Sequence, residues 1–446
     1  MALAGRPAGL LVIGLHWKTM DTPVKRLAVV VQRYGEKING GAELHARLLT
    51  ERLARQYDVE VLTSCAHDYT DWAMAYPPGP CRVNGVRVLR FPQPLRNDIG
   101  RARVPLVHKL RFKLRHLLGL LPGPRVSPPN GDPFHDGVDF LRRQGPHCEA
   151  LLRHLADSAE RYDAVIFYTA LYEPSARGVQ VWGRRSILLP LLHDEKPMYL
   201  PVFGTVLRSA GELIFQTEAE RELAARMYGI DTRKAVVAAL GMDVQVPSST
   251  AVAEVLARYG LQPGYLIYVG RIDVAKGCDE LLAVFQAHAR SDPKARLVMV
   301  GQAIMQIPGD PRIVGTGFIS EADRNALIAG AAALVIPSRY ESLSMVLLEA
   351  MLLRTPVIAN GLCGVLAEHV ENSGAGRAYR SRRQLRVALR ELSALPPAER
   401  LRLGELGAAY VQRLYAWPHV LAQYAEAIAR VSRNPPADQA RVSTTS

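Results

Sequence analysis

Residues 334–360, LVIPSRYESLSMVLLEAMLLRTPVIAN, constrain the fold more than any other stretch of the chain. Leu334 to Ile336 read as a buried strand that stops at the turn Pro337-Ser338, a short acidic loop and a brief apolar helix follow, and a second apolar strand begins after Pro356. A strand, loop, helix and strand in that order make an α/β unit with a parallel sheet. Glu341 then lies in the loop and Glu349 in the helix, both at the carboxyl edge of the sheet, where open α/β sheets bind ligands. On one continuous helix the two acids would stand about 80° and about 12 Å apart. With Glu341 in the loop they can face one cleft. The segment holds no metal-type partners for them, so the acids suit sugar hydroxyls better than phosphate. The alternative is a solvated loop acid at 341 and an ordinary helix-surface acid at 349.

The chain has 446 residues, which exceeds a single ordinary core, so two domains are expected. The apolar content of 48% and charged content of 22% describe a globular α/β protein and exclude a disordered one. A net charge of +13 favours anionic partners: nucleotide, nucleic acid or an acidic membrane face. Cys65, Cys81, Cys148, Cys278 and Cys363 are scattered without CxxC spacing, so neither a disulfide framework nor a zinc site is expected, and a reducing cytoplasm fits. The apolar run Gly9 to Leu15 is too short for a membrane span, and residues 1–24 read as an irregular leader.

In the first half, Leu27 to Gln32 (LAVVVQ) reads as a strand, a loop carrying Gly35, Asn39, Gly40 and Gly41 follows, and a helix runs from Ala42 to Gln56 before the strand Val59 to Thr63. Gly40 and Gly41 sit where backbone amides meet a helix start, a candidate anion site or a plain connecting turn. Asn84-Gly85 predicts a hairpin within Val83 to Phe91. From Ile99 to Gly131 there is no acidic residue, while Arg101, Arg103, Lys109, Arg111, Lys113 and Arg115 border apolar positions at three- and four-residue steps. Such a helix suits an anionic lipid interface, or else its stripe packs on the domain and its cations are solvated. Gly119 to Pro133 read as a connector. Leu151 to Tyr162 is expected to be helical, and Asp163 to Thr169 and Ser186 to Leu191 to be strands. His193-Asp194-Glu195 follows the latter, so His193 can carry chemistry or simply hydrogen-bond within its loop. Glu212 to Gln216 and Glu218 to Tyr228 predict a strand and a helix, and Ala238 to Asp243 an inter-domain passage.

A second series opens with the strand Tyr265 to Val269, followed by Gly270-Arg271-Ile272-Asp273 and Lys276-Gly277 before a helix at Asp279 to Ala289. Two cations between a strand end and a helix start suit phosphate: Arg271 offers a planar fork, Lys276 a compact charge. Ala295 to Gly301 and Arg312 to Gly315 are expected strands and Glu321 to Ala332 a helix. Cys363, Gly364 and Val365 precede or open a further helix whose amides could meet an anion. Pro396 to Tyr415 and Pro418 to Val431 read as helices, the latter long enough to return to the first domain, and residues 434–446 as a disordered tail.

The chain resembles the retaining glycosyltransferases of the GT-B fold, in the family four group. The motifs that carry this are GRIDVAKG at 270–277, the acidic stretch that follows at 336–360, INGGAELHARLLTERL at 38–53, LLHDE at 191–195 and LGMDV at 240–244. The resemblance implies two Rossmann-like domains facing across a cleft: residues 1–243 binding the acceptor, 244–412 binding the nucleotide sugar, and a helix at 413–433 crossing back. It implies that Arg271 and Lys276 hold the nucleotide diphosphate and that Glu349 binds the ribose hydroxyls. Glu341 faces the donor sugar, with His193 at its other edge. Gly40 and Gly41 let the first loop approach the phosphates, Gly270 and Ser344 line the donor site, and the amides of Cys363 to Val365 meet the donor. The family's usual Phe-Gly after the first acid is here Leu343-Ser344. No cofactor or metal is implied, because the two cations can meet the leaving group's charge.

The leading expectation is therefore a cytoplasmic transferase acting on a lipid-linked or envelope polysaccharide precursor, held at the inner membrane face by the basic segment. A transferase for a small acceptor and a non-catalytic nucleotide-sugar-binding subunit are the alternatives. Nucleic acid is not an expected partner, since the basic segment lacks interleaved stacking aromatics. Oligomeric state is left open by the sequence.

Overall fold

The computed structural model describes residues 24–38, 40–100, 102–104, 106–117, 134–233 and 235–434. The expected leader up to residue 23, Arg101, the connector at 118–133 and the tail from 435 lie outside them.

The first domain opens with β1 (Arg26–Val30), whose residues 27–30 are fully buried, as a central parallel strand covered on both faces must be. It continues through α1 (Gly41–Leu53), β2 (Asp58–Ser64), β3 (Gly79–Val83) and β4 (Val86–Phe91). The expected hairpin joins β3 to β4, with Asn84 and Gly85 at φ 47° and 83°, the left-handed pair a tight two-residue turn needs. Next come α2 (Arg96–Ile99), α3 (Leu106–Leu117), α4 (Phe134–Gln144), α5 (Glu149–Asp157) and β5 (Ala164–Tyr168). The domain ends with α6 (Glu173–Trp182), β6 (Ser186–Leu189), α7 (Pro201–Ser209), β7 (Glu212–Phe215), α8 (Glu218–Tyr228) and β8 (Val236–Val237). The helix expected to reach Tyr162 stops at Asp157, because Tyr162 turns into the core and gives its hydroxyl to Glu60. The sheet order is β3-β4-β2-β1-β5-β6-β7-β8, parallel throughout except for the β3–β4 pair.

The second domain repeats the plan. It comprises α9 (Ser249–Arg258), β9 (Leu266–Val269), α10 (Cys278–Ala289), β10 (Leu297–Val300), β11 (Ile313–Gly317), α11 (Glu321–Ala329) and β12 (Ala333–Ile336). It goes on through α12 (Met345–Leu352), β13 (Val357–Asn360), α13 (Gly364–Ser373), β14 (Gly376–Tyr379), α14 (Arg382–Ser393) and α15 (Pro397–Leu414). The six strands are parallel in the order β11-β10-β9-β12-β13-β14. The chain winds outward to one side from β9 and to the other from β12, so the loops after these two strands diverge and leave a crevice between them.

The last helix, α16 (Trp417–Val431), crosses back to the first domain. Arg430 pairs with Glu212 at 3.0 Å, Gln423 Nε2 donates to the Val237 carbonyl at 3.1 Å, and the buried Tyr424 hydroxyl reaches the Ala238 carbonyl at 3.4 Å. At its start Arg52 of α1 stacks on the Trp417 ring at 3.6 Å and pairs with Asp243 at 3.1 Å. The passage between the domains, residues 238–248, has no regular structure and is pinned where Met242 donates its N–H to Tyr415 at 2.6 Å. Tyr424→Ala should therefore lower unfolding stability by about 3 kcal/mol, through the lost ring contacts and the cavity left behind. Urea denaturation measures this, and an unchanged midpoint would mean that the crossing helix is not part of the cooperative core.

Candidate functional site

The site grows from strand ends. β9 delivers Gly270 and Arg271, and a single tight turn at Val274–Lys276 places Lys276 immediately before α10. Gly277 closes that turn at φ 76°, and a Cβ there would lie 2.6 Å from the Pro337 carbonyl oxygen, so the loops after β9 and β12 touch only because residue 277 is glycine. β12 delivers the acidic loop. Lys276 Nζ meets Glu341 Oε1 at 2.8 Å, which joins the two loops across the crevice. Ser344 caps α12 in the left-handed conformation (φ 62°, ψ 70°), and Leu343 before it is buried. The family's Phe-Gly pair thus has a physical counterpart here: an apolar anchor, then a left-handed residue that glycine would adopt at less cost.

Both carboxylates line one cavity of about 300 Å³, together with Lys276, Gly270, Ser344 and, from the first domain, Gly41, His45 and Gln216. Glu349 is not alone there. Its carboxylate accepts from Arg324 Nη2 of α11 at 3.1 Å, and burial raises its pKa above the usual carboxylate range while Arg324 opposes the shift. Arg271 reaches out of the second domain: its Nη1 donates to the Tyr69 hydroxyl of the first at 2.6 Å, and its Nε lies 3.0 Å from Asp273. Neither Arg324 nor Tyr69 is singled out by the sequence, since each meets its partner only through packing.

A second cavity, about 580 Å³, adjoins the first at Glu341, and its lining includes His193, Cys363, Gly364 and Val365. His193 Nδ1 stands 3.6 Å from Glu195. The segment that carries it is held by Glu220, a buried acid of α8 that accepts the backbone N–H groups of Leu192 at 2.8 Å and Gln216 at 2.7 Å. Burial pushes the Glu220 carboxyl up to about 7, against the pull of those amides. Nothing in the sequence marks Glu220 apart from other helix acids. From the second domain, Glu368 accepts the N–H of Ala219 at 2.5 Å and of Glu218 at 3.2 Å, capping α8 across the cleft.

The expected donor residues are thus divided. Lys276, Glu341, Glu349, Gly270 and Ser344 line the first cavity, Arg271 at the end of β9 lines neither cavity, and Cys363, Gly364 and Val365 lie on the His193 side of Glu341. Gly41 opens α1 at the first cavity with free space around its Cα. Gly40 serves a neighbour instead: a Cβ there would lie 1.9 Å from Glu43, which is buried against Arg33. The basic segment forms α3, packed near the Lys196–Tyr199 turn that follows His193. Four of its leucines are exposed among the described residues: Leu106, Leu110, Leu114 and Leu117 are 69, 55, 56 and 82% exposed. Arg103, Lys109 and Lys113 are also exposed, and the side chains of Arg111 and Arg115 lie outside the described atoms. Among the described residues, no helix is long and apolar enough to cross a membrane.

Two parallel-sheet domains with a cleft between them and a helix returning from the second to the first define the GT-B fold. Solved structures agree. Anabaena Alr3699/HepE in complex with UDP and glucose superposes with a TM-score of 0.63 at 15% identity, over 91% of this chain and 99% of that one. WaaG, a glycosyltransferase involved in lipopolysaccharide biosynthesis, does so with a TM-score of 0.58 at 16% identity, over 92% and 100%. In sequence, residues 263–394 match the family model described as Glycosyl transferases group 1, so the second domain is a group 1 glycosyl transferase domain. The D-inositol 3-phosphate glycosyltransferase of Segniliparus rotundus is 30% identical over 48% of this chain, which spans 51% of that protein.

The raised Glu220 pKa has a pH consequence. Its folded value, about 7, exceeds the ordinary value of 4.5, so the stability it contributes is complete below about pH 4.5 and is lost as pH rises through about 7. Melting temperatures across that window should fall for this reason in the wild type, and Glu220→Gln should flatten the slope. Parallel profiles would show that the group does not titrate there.

Proposed function

We propose that the chain is a retaining, metal-independent glycosyltransferase that moves a sugar from a nucleoside-diphosphate sugar to an acceptor hydroxyl. The observation that carries this reading is the meeting of Lys276, Glu341 and Glu349 in one inter-domain cavity at the ends of β9 and β12; Arg271, next to the lining residue Gly270, reaches across to Tyr69 of the first domain. In this reading Glu349, steadied by Arg324, accepts the ribose hydroxyls, and Glu341 accepts hydroxyls of the donor sugar. Arg271 and Lys276 face the diphosphate. As the bond from the anomeric carbon to the leaving phosphate breaks, negative charge grows on that phosphate, and fixed cations stabilise it more in the transition state than in the ground state. The acceptor oxygen bonds to the anomeric carbon on the face the phosphate leaves, and its proton passes to a phosphate oxygen. His193 then orients the sugar.

The acceptor in this reading is a lipid-linked or envelope polysaccharide precursor, met at the inner face of the cytoplasmic membrane. Support comes from α3, whose exposed leucines and flanking cations stand beside the turn that follows His193, so a membrane-held acceptor would enter at the His193 side. Each basic residue near an anionic surface adds about 1 kcal/mol. The resemblance to WaaG points the same way. The relative from Segniliparus rotundus, named for inositol 3-phosphate, favours a second reading with a small acceptor.

Arg271→Ala and Glu349→Ala should each weaken nucleotide-sugar binding or turnover at least about tenfold, since each removes a charge-assisted contact of about 1.5–3 kcal/mol. Calorimetry and transfer assays measure this, and wild-type kinetics in either variant would remove the assignment. For the acceptor, the full chain should sediment with vesicles containing anionic lipid and not with neutral ones. Leu110→Asp with Leu114→Asp should abolish that binding while leaving nucleotide binding unchanged. Absence of vesicle binding by the wild type would favour the small acceptor.

A further inference from the structure

His369 of α13 lines neither cavity, yet it is fully buried directly beneath the acidic loop. Its Nε2 stands 2.9 Å from the Leu343 carbonyl oxygen and its Nδ1 3.0 Å from the Tyr410 hydroxyl of α15. A carbonyl can only accept, so Nε2 carries the hydrogen and Nδ1 accepts from Tyr410. Burial lowers the imidazole pKa to about 4, so the ring is neutral near pH 7 and this donor pattern persists. The rings of Tyr410 and Tyr415 each meet it edge-on at 6.0 Å, which leaves it no second rotamer without loss of both contacts.

The carbonyl it holds occupies a critical place. Leu343 lies between Glu341 and the left-handed Ser344, so a shift of the peptide after Leu343 would re-aim both the acid and the first amides of α12. The same helix makes a weaker contact two residues earlier, Cys363 Sγ to the Glu341 carbonyl at 3.8 Å. On its far side His369 joins Tyr415, whose backbone carbonyl receives the Met242 N–H of the inter-domain passage. One chain of buried contacts thus runs from the passage to the acidic loop.

We propose that His369 is the positioning residue of the acidic loop: its Nε2–H fixes the Leu343 carbonyl and thereby sets Glu341 and the Ser344 backbone for sugar transfer. The role in transfer rests on the reading of the cleft given above.

The test compares full-length wild type with His369→Phe, which keeps ring volume without a donor, and His369→Gln, which keeps an N–H at similar reach. Amide hydrogen exchange is followed in a peptide covering residues 339–353, alongside UDP and GDP affinity and steady-state transfer. In the Phe variant the loop should exchange at least about tenfold faster while peptides of β9 and α10 are unchanged. With a nucleotide sugar that the wild type turns over, kcat should drop at least about tenfold with the donor KM within about threefold, and Gln should restore most of the loss. Should His369→Phe not fold, Tyr410→Phe, which frees Nδ1, should accelerate loop exchange about threefold. Unchanged loop exchange in the folded variant used, or equal effects of Phe and Gln, would overturn the proposal. If the wild type turned over no nucleotide sugar while the loop still loosened in the Phe variant, the positioning would stand and the reading of the cleft would fall.

Discussion

The contact between Lys276 and Glu341, 2.8 Å across the crevice at the ends of β9 and β12, organises the second domain's side of the cleft. The sheet divides there: the connection after β9 leads outward to β10 and the one after β12 to β13, so their loops diverge and are rejoined by this bridge and by the close approach of Gly277 to Pro337. Gly277 permits the close approach, and Ser344 accepts left-handed strain to start α12 with its amides toward the same space. An ammonium and a carboxylate held in partial burial interact more strongly than they would in water. A diphosphate entering the site would supply Lys276 with a doubly charged partner and leave Glu341 free for hydroxyl groups, which is the exchange the proposed reaction needs.

The two domains meet at more than one place, and the contacts differ in kind. At the rim, Arg271 to Tyr69 and Glu368 to the start of α8 are polar and partly solvated. Behind the cleft, α16 lays Val420, Tyr424, Ala427 and Ile428 into a continuous apolar core that includes residues of both sheets. The apolar contact fixes the pair of domains as one body; the polar ones can exchange partners with a ligand at little net cost, because each group regains hydrogen bonds when it lets go. Arg271 is then a group already aimed across the gap before any donor arrives.

Much of the fold was legible because buried parallel strands leave continuous apolar runs, such as Leu27 to Val30 and Leu334 to Ile336, and glycines mark their ends. The hairpin at Asn84-Gly85 and the helix Glu218–Tyr228 follow the sequence signals closely. Other elements passed unnoticed: α6 and α7 each carry a proline in the first turn, and β14 is only four residues long with two of them exposed. In the site, the acids and cations were legible because Arg271, Lys276 and Glu341 follow strand ends and Glu349 lies in the short helix after one of them. Their partners were not. Arg324 is 25 positions from Glu349 and Tyr69 is 202 from Arg271, separations at which only packing decides who meets. Cys363, Gly364 and Val365 lie on the His193 side of Glu341 because β13 is one strand further from the crevice than β12. The apolar stripe of α3 could be read from its spacing, while the exposure of its leucines could not.

We propose that the cleft holds a nucleotide-activated sugar with its diphosphate against the second domain. The most direct measurement is the melting temperature of the full chain across a panel of nucleotide sugars and the matching nucleoside diphosphates, since a ligand bound only by the folded state raises stability by mass action. At least one nucleotide sugar should raise the melting temperature, its nucleoside diphosphate alone should reproduce much of the rise, and the rise should disappear in Arg271→Ala. A panel in which no nucleotide sugar or diphosphate moves the transition would contradict the proposal.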